Sequence, residues 1–253
     1  MKLLLDIGNS RLKIATFDGH CASFVKAIAI EPLQRCQIQL TDVLSALSGP
    51  IEACVAVSVA SDATNAAVAA MAKGYPIHWI RPTASLAGIK NAYPKPSELG
   101  ADRWVSMLGL KRHFSDAHPA LVLATFGTAT TVDTLGPDDE FKGGLILPGV
   151  TMMHQALAKG TARLPDAPGL VSTFPTDTVS AIASGVAAAQ VGAVMRQLSQ
   201  VQALHKEPPI LCVSGGALPV ISAHLQHAMG AAPIQVLPHV VFDGLATIAA
   251  TIN

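Results

Sequence analysis

Apolar and polar positions follow two rhythms along this chain, and the switches between them mark out its elements. Residues 2–18 read as two short strands around the turn formers Gly8, Asn9 and Ser10. Strand character returns in IEACVAVSVA (51–60) and PIHWIR (76–81), with a helical stretch over 62–73 between them. The prolines and glycines of 82–100 predict a loop, and WVSMLGLKRH predicts a helix packed through Trp104, Leu108 and Leu110. After Pro119 a second strand–turn–strand, ALVLATFGTATTVDTLG, leads to FKGGLILPGV. An alanine-rich helix over 179–199, a strand running into glycines at ILCVSGGAL, and a closing strand and helix complete the chain.

The second strand–turn–strand repeats the first. With Gly8 set over Gly127, LLLDIGNSRLKIATF lies over VLATFGTATTVDTLG, 119 residues on. Asp6 then falls over Thr125 and Asn9 over Thr128. A repeat spaced at half the chain predicts a duplicated α/β unit, with lobes at 1–115 and 116–253.

Composition narrows the function classes. Half of the 253 residues are apolar and 13% charged, so a large folded core is expected. Seventeen basic residues balance seventeen acidic ones, which removes the positive field expected of a nucleic-acid or anionic-lipid binder. Near-neutrality favours self-association. Cys21, Cys36, Cys54 and Cys212 form no C-x-x-C pair, so neither a zinc knuckle nor a redox pair is expected. His224 and His227 share helical spacing but lack a third ligand, and are read as surface residues. Met152 and Met153 are read as packing residues. The start of the chain reads as mature sequence, no membrane span is expected, and a reducing cytoplasm is the default.

Three strands that end in glycine and small hydroxyl residues place main-chain amides where a polyphosphate can be wrapped, without the lysine-bearing helix of a P-loop. Asp6, at one of those strand ends, can hold Mg²⁺ through water, because Mg²⁺ retains waters and takes few carboxylates. Lys13, on the returning strand, adds positive charge. Taken alone, Asp6 reads equally well as a turn residue, and Asp102 as an ordinary helix-start carboxylate.

Five motifs in order, LDIGNSRLK, ELGADRW (98–104), FGTATTVD (126–133), GGLILPG (143–149) and SGGAL from Ser214, resemble those of type III pantothenate kinases. These belong to the superfamily of acetate kinase, sugar kinases, Hsp70 and actin. The resemblance covers nearly the whole chain. It implies two similar ribonuclease H-like lobes in the actin-like ATPase fold, with an interlobe nucleotide cleft. It also implies ATP-dependent phosphorylation of pantothenate, the first step of coenzyme A synthesis, with ATP and Mg²⁺ as cofactors and a homodimer as the assembly.

Carried over by motif, Asp6, Ile7, Gly8, Asn9, Ser10, Arg11, Leu12 and Lys13 form the first phosphate element, and Thr128 belongs to the second. Gly100, Ala101, Asp102 and Arg103 form the pantothenate motif, with Asp102 as general base. Tyr93 in NAYPKP and Thr178 in PTDTVSAI contact the acceptor, although Asp177 stands where an asparagine is usual. The physics agrees: Asp102 can take the proton of an alcohol, and Arg103 offers a planar cation suited to a carboxylate. A helix start just before Asp102 predicts amide donors that keep it ionised.

Thr125 departs from the pattern, since the family's aspartate there helps to hold a monovalent cation (K⁺ or NH₄⁺). The expectation is a changed or absent potassium requirement. Two alternatives stand beside the kinase: a nucleotide-binding regulatory or accessory protein that has lost catalysis, and a kinase for another small molecule. What Asp243 does beyond capping or packing is left open by the sequence.

Overall fold

The computed structural model describes residues 1–47, 49–72, 74–114 and 118–252. The expected lobe junction at 115/116 lies outside the described residues. In chain order the elements are β1 (Lys2–Ile7), β2 (Arg11–Phe17), β3 (Ala22–Ala29), α1 (Leu33–Ala46), β4 (Ala53–Ser58), α2 (Asp62–Met71), β5 (Ile77–Trp79), β6 (Ser85–Leu86), β7 (Ile89–Asn91) and α3 (Ala101–Arg112). They continue with β8 (Leu121–Phe126), β9 (Ala129–Leu135), β10 (Glu140–Pro148), α4 (Val150–Gly160), α5 (Thr178–Leu204), β11 (Ile210–Ser214), α6 (Leu218–Met229), β12 (Ile234–Val236) and α7 (Val240–Ala249).

The described residues group into two compact units, one of 1–114, 139–141 and 239–252, the other of 118–138 and 142–238. The closing segment, placed by the sequence reading in the second lobe, therefore packs with the first. Its helix α7 lies against α3, where Gly109 and Gly244 let the backbones approach. A Cβ at Gly109 would sit 1.8 Å from the Val240 carbonyl oxygen, and one at Gly244 would sit 2.0 Å from that of Val105.

In the first unit the strand order is β3-β2-β1-β4-β5. The β1–β2 and β2–β3 pairs are antiparallel, while β1–β4 and β4–β5 are parallel. The second unit repeats it as β10-β9-β8-β11-β12, with β8–β9 antiparallel and β8–β11 and β11–β12 parallel. Strand β1 thus corresponds to β8 and β4 to β11, as the repeat in the sequence requires.

Alternation on β1 divides its side chains. Leu3, Leu5 and Ile7 enter a core with Cys36, Leu40 and Val43 of α1 and Val68 of α2. Leu4 and Asp6 take the opposite face, the one covered by α3 and α7. In the second unit Val122, Ala124 and Phe126 pack with Val194, Leu198 and Val201 of α5 and with Ile221 and Leu225 of α6. By length and composition α5 could cross a membrane, but this stripe serves as core.

Candidate active site

The first hairpin presents a carboxylate and a cation side by side. Asp6 and Lys13 are direct partners in the β1–β2 register, so their side chains share a face. Lys13 Nζ donates to Asp6 Oδ2 at 2.8 Å, and Asp6 is only 6% exposed. The turn is closed by Gly8 N–H donating to the Arg11 carbonyl at 3.0 Å. Asn9, Ser10 and Arg11 are exposed at its tip. Ile7 and Leu12 have wholly buried side chains, so they can serve a ligand only through the main chain.

Beside this hairpin stands the start of α3. Gly100 is its N-cap and supplies no side-chain bond. A Cβ there would lie 2.9 Å from Asp102 Oδ1, so glycine leaves the carboxylate its place. The Arg103 amide donates to Asp102 Oδ1 at 2.8 Å. The expected donor is therefore present, but it is not the largest influence on the carboxylate. Burial pushes the Asp102 pKa above the usual carboxylate range, outweighing the Arg103 amide, and the nearby Asp6 charge adds to the rise while the Arg103 charge opposes it. Such a carboxyl is a better proton acceptor than a solvated one. Arg103 is itself buried and donates from Nη1 to Tyr93 Oη at 3.3 Å. Asp6, Lys13, Gly100, Ala101, Asp102, Arg103 and Tyr93 thus all belong to one unit, with Asp6 and Asp102 close enough to feel each other's charge.

Three glycine turns converge in the second unit. Gly127 N–H donates to the Ala129 carbonyl at 3.1 Å, making this hairpin one residue shorter than the first. A Cβ at Gly149, which ends GGLILPG, would lie 2.3 Å from the Gly127 carbonyl oxygen. Gly215, at φ +102, would bring one within 2.2 Å of the Phe126 carbonyl oxygen. Thr128 is exposed at the hairpin tip, and its carbonyl accepts from Gly149 N–H at 3.0 Å.

Thr125 pairs in register with Thr131 and Ser214, so the position expected to hold a monovalent cation is flanked by hydroxyl residues. Position 125 itself therefore offers a hydroxyl and no charge. For Mg²⁺ the fit is different. No group of three or more His, Cys, Asp or Glu among the described residues could hold a metal ion alone. A lone strand-end carboxylate, Asp6, suits a cation that keeps its waters and takes its remaining ligands from phosphates.

Thr178 opens α5 and is exposed, while its neighbour Asp177 is the N-cap, accepting from Ser180 N–H at 2.9 Å. Capping is thus not the work of Thr178, which instead lines a cavity of about 620 Å³ with Met153, Leu157, Ile182 and Val186. Asp243 pairs with His113 Nε2 at 2.8 Å, fastening α7 to the end of α3. Met152 is exposed and Met153 accepts from Gln190 Nε2 at 3.3 Å. His224 and His227 lie on α6. Burial pushes the thiols of Cys54 and Cys212 up to about 11 and about 12, so neither is a ready nucleophile.

Two residues escaped the sequence reading. Gln190, wholly buried on α5, accepts from Thr130 Oγ1 at 2.6 Å and donates to the Pro148 carbonyl at 2.8 Å, bracing the second hairpin against the LPG turn. A lone amide in the apolar stripe Ile182–Val186–Val194 is the signal that could have found it. Phe141, wholly buried, lies between Tyr93 and Arg103, and no periodicity marks it.

Comparison with known proteins follows the same lines. The sequence model of the type III pantothenate kinase family matches residues 2–200. The type III pantothenate kinase of Bordetella petrii is 43% identical over 260 aligned residues, covering 99% of this chain and 97% of its own. Among solved structures, MreB 5 of Spiroplasma citri bound to AMPPNP superposes with a TM-score of 0.52 at 9% identity, covering 99% of this chain and 96% of that one. The inorganic polyphosphate/ATP-glucomannokinase of Arthrobacter sp. strain KM gives 0.51 at 16% identity, covering 99% of both chains. These two likenesses bear out the expected fold class.

Proposed function

The chain belongs to the type III pantothenate kinase family, and we propose that its own residues transfer the γ-phosphoryl group of ATP to the primary alcohol of pantothenate, yielding 4'-phosphopantothenate and ADP. The observation that carries this reading is the cluster at the start of α3. There a half-buried carboxyl of raised proton affinity stands next to a buried guanidinium that bonds a tyrosine hydroxyl.

Arg103 and Tyr93 bind the acceptor, the guanidinium pairing with its carboxylate. Asp102 orients the hydroxyl and receives its proton as the alcohol oxygen bonds to the γ-phosphorus and the bond to the ADP oxygen breaks. Phosphoryl transfer asks for positioning and charge neutralisation above all. The exposed tip of the first hairpin, Asn9 and Ser10, is assigned to the first, and Mg²⁺ would supply the second, with Asp6 the residue that would hold it through water. Lys13 keeps the Asp6 carboxylate in place. Thr178 is assigned to the acceptor.

Assembly as a homodimer and a cytoplasmic location fit this reading. Ile146, Leu170 and Phe174 are exposed apolar residues of the same unit, Phe174 at 87%, and an apolar surface of this kind is one a second copy can cover. With a hydroxyl at position 125 and hydroxyl residues as its partners on the neighbouring strands, the requirement for potassium is changed or absent.

Two assays test the proposal. Purified protein with ATP and Mg²⁺ is expected to release ADP and phosphorylated product in equal amounts with pantothenate, and neither with acceptors that lack its carboxylate. Product from other alcohols at comparable rates would overturn the substrate assignment. The rate is expected to be flat in added KCl, and strong activation by potassium would overturn the reading of Thr125.

A further inference from the structure

We infer that Phe141 is a positioning residue for the acceptor, fixing the guanidinium of Arg103 and the ring of Tyr93 in one geometry. The inference rests on the assignment of acceptor binding to those two residues. Phe141 is fully buried at the beginning of β10. The Arg103 Cζ lies over its ring, 5.6 Å from the centroid. The Tyr93 ring packs against it at 5.8 Å between centroids, tilted by 30°. With Arg103 Nη1 donating to Tyr93 Oη, the three side chains close a triangle of which Phe141 is the apolar corner.

The backbone holds that corner as firmly as the side chains do. Phe141 pairs with Asn91 in the β7–β10 register, and Ala92 N–H donates to its carbonyl at 3.2 Å. Asn91 Oδ1 in turn accepts from the Tyr93 amide at 3.0 Å. Two residues before Phe141, Asp139 forms an ion pair with Lys111 of α3 at 2.9 Å. The segment carrying Phe141 is therefore tied both to the loop that bears Tyr93 and to the helix that bears Arg103.

A cation in a low-dielectric site is drawn to the face of an aromatic ring, an attraction that weakens only slowly with small lateral shifts but disappears when the ring does. An aromatic floor thus holds a buried guanidinium in place through the ring face.

Phe141→Leu keeps the apolar bulk and removes the ring face. We expect it to raise KM for pantothenate on the order of tenfold, the loss of one desolvated cation–π contact, while KM for ATP is retained. A merely structural role would move both constants together or neither, and either result in the folded variant would overturn the inference. A second readout needs no turnover and does not depend on Phe141→Leu. In ¹H–¹⁵N spectra of arginine side chains, assigned by the signal missing in Arg103→Lys, the Arg103 Nε–H is expected to be shifted upfield by the ring current of Phe141. An unshifted Arg103 signal in the wild-type protein would overturn the inference even if Phe141→Leu does not fold. A shifted signal in a protein that leaves pantothenate unphosphorylated would uphold this placement of Phe141 and sink the kinase reading instead.

Discussion

Asp102, the proposed general base, carries a cost in stability. Burial raises its pKa, so the folded state binds its proton more tightly than the unfolded state does. Its contribution is then fully present below the ordinary carboxylate range and is lost as pH rises through the raised folded pKa. Asp102→Asn carries no such charge. The variant is expected to lose turnover by about 10²–10⁴-fold, the usual worth of a general base, while ATP still binds. It is also expected to melt higher than the wild type near neutral pH. That gap should close as the pH is lowered into the carboxylate range, and thermal melts across pH check it. A gap constant with pH would show that burial of the charge is not the cause. The helix start ahead of Asp102 was legible in ELGADRW, and so was the carboxylate itself. The balance of its surroundings was not, because the burial at the start of α3 and the nearness of the Asp6 charge are set by the tertiary fold and not by local sequence.

At the scale of elements, the same helix pair explains where the closing segment goes. Helix α3 is buried over nearly its whole length, and α7 reaches it only because Gly109 and Gly244 remove the side chains at the crossing. Gly109→Ala places a methyl group 1.8 Å from the Val240 carbonyl oxygen and forces the helices apart. Overpacking of this kind costs about 1–3 kcal/mol. For a chain of this size each kcal/mol lowers the melting temperature by roughly 2–4 °C. An unchanged melting temperature would show that the crossing yields freely. Periodicity made α3, α5 and the two hairpins readable, since each alternates or repeats strongly. It passed over β3 and α1. Strand β3 is an edge strand whose residues are mostly exposed, and α1 begins at Pro32 without a side-chain cap, so neither carries the usual markers. It also gave no sign that Gly109 and Gly244, single glycines in separate helices, would meet.

Across the whole molecule the informative feature was repetition. The glycine turns at Gly8 and Gly127 aligned two halves of the sequence, and the two units share one strand order, with the hairpin strands at corresponding places. What the repeat concealed is divergence: Asp6 faces Lys13 in the first hairpin, whereas Thr125 faces Thr131 in the shorter second one. At this pair of positions the charges stand on one side only, in the unit that also holds Asp102 and Arg103. Nor could a linear reading foresee that residues 139–141 join the first unit, bringing Phe141 beneath Arg103. The account is tested most directly by mass spectrometry of pantothenate incubated with ATP, Mg²⁺ and either the wild-type chain or Asp102→Asn. It predicts phosphorylated pantothenate from the wild type and almost none from the variant. Absence of that product from the wild-type chain, or equal yields from the two proteins, would contradict it.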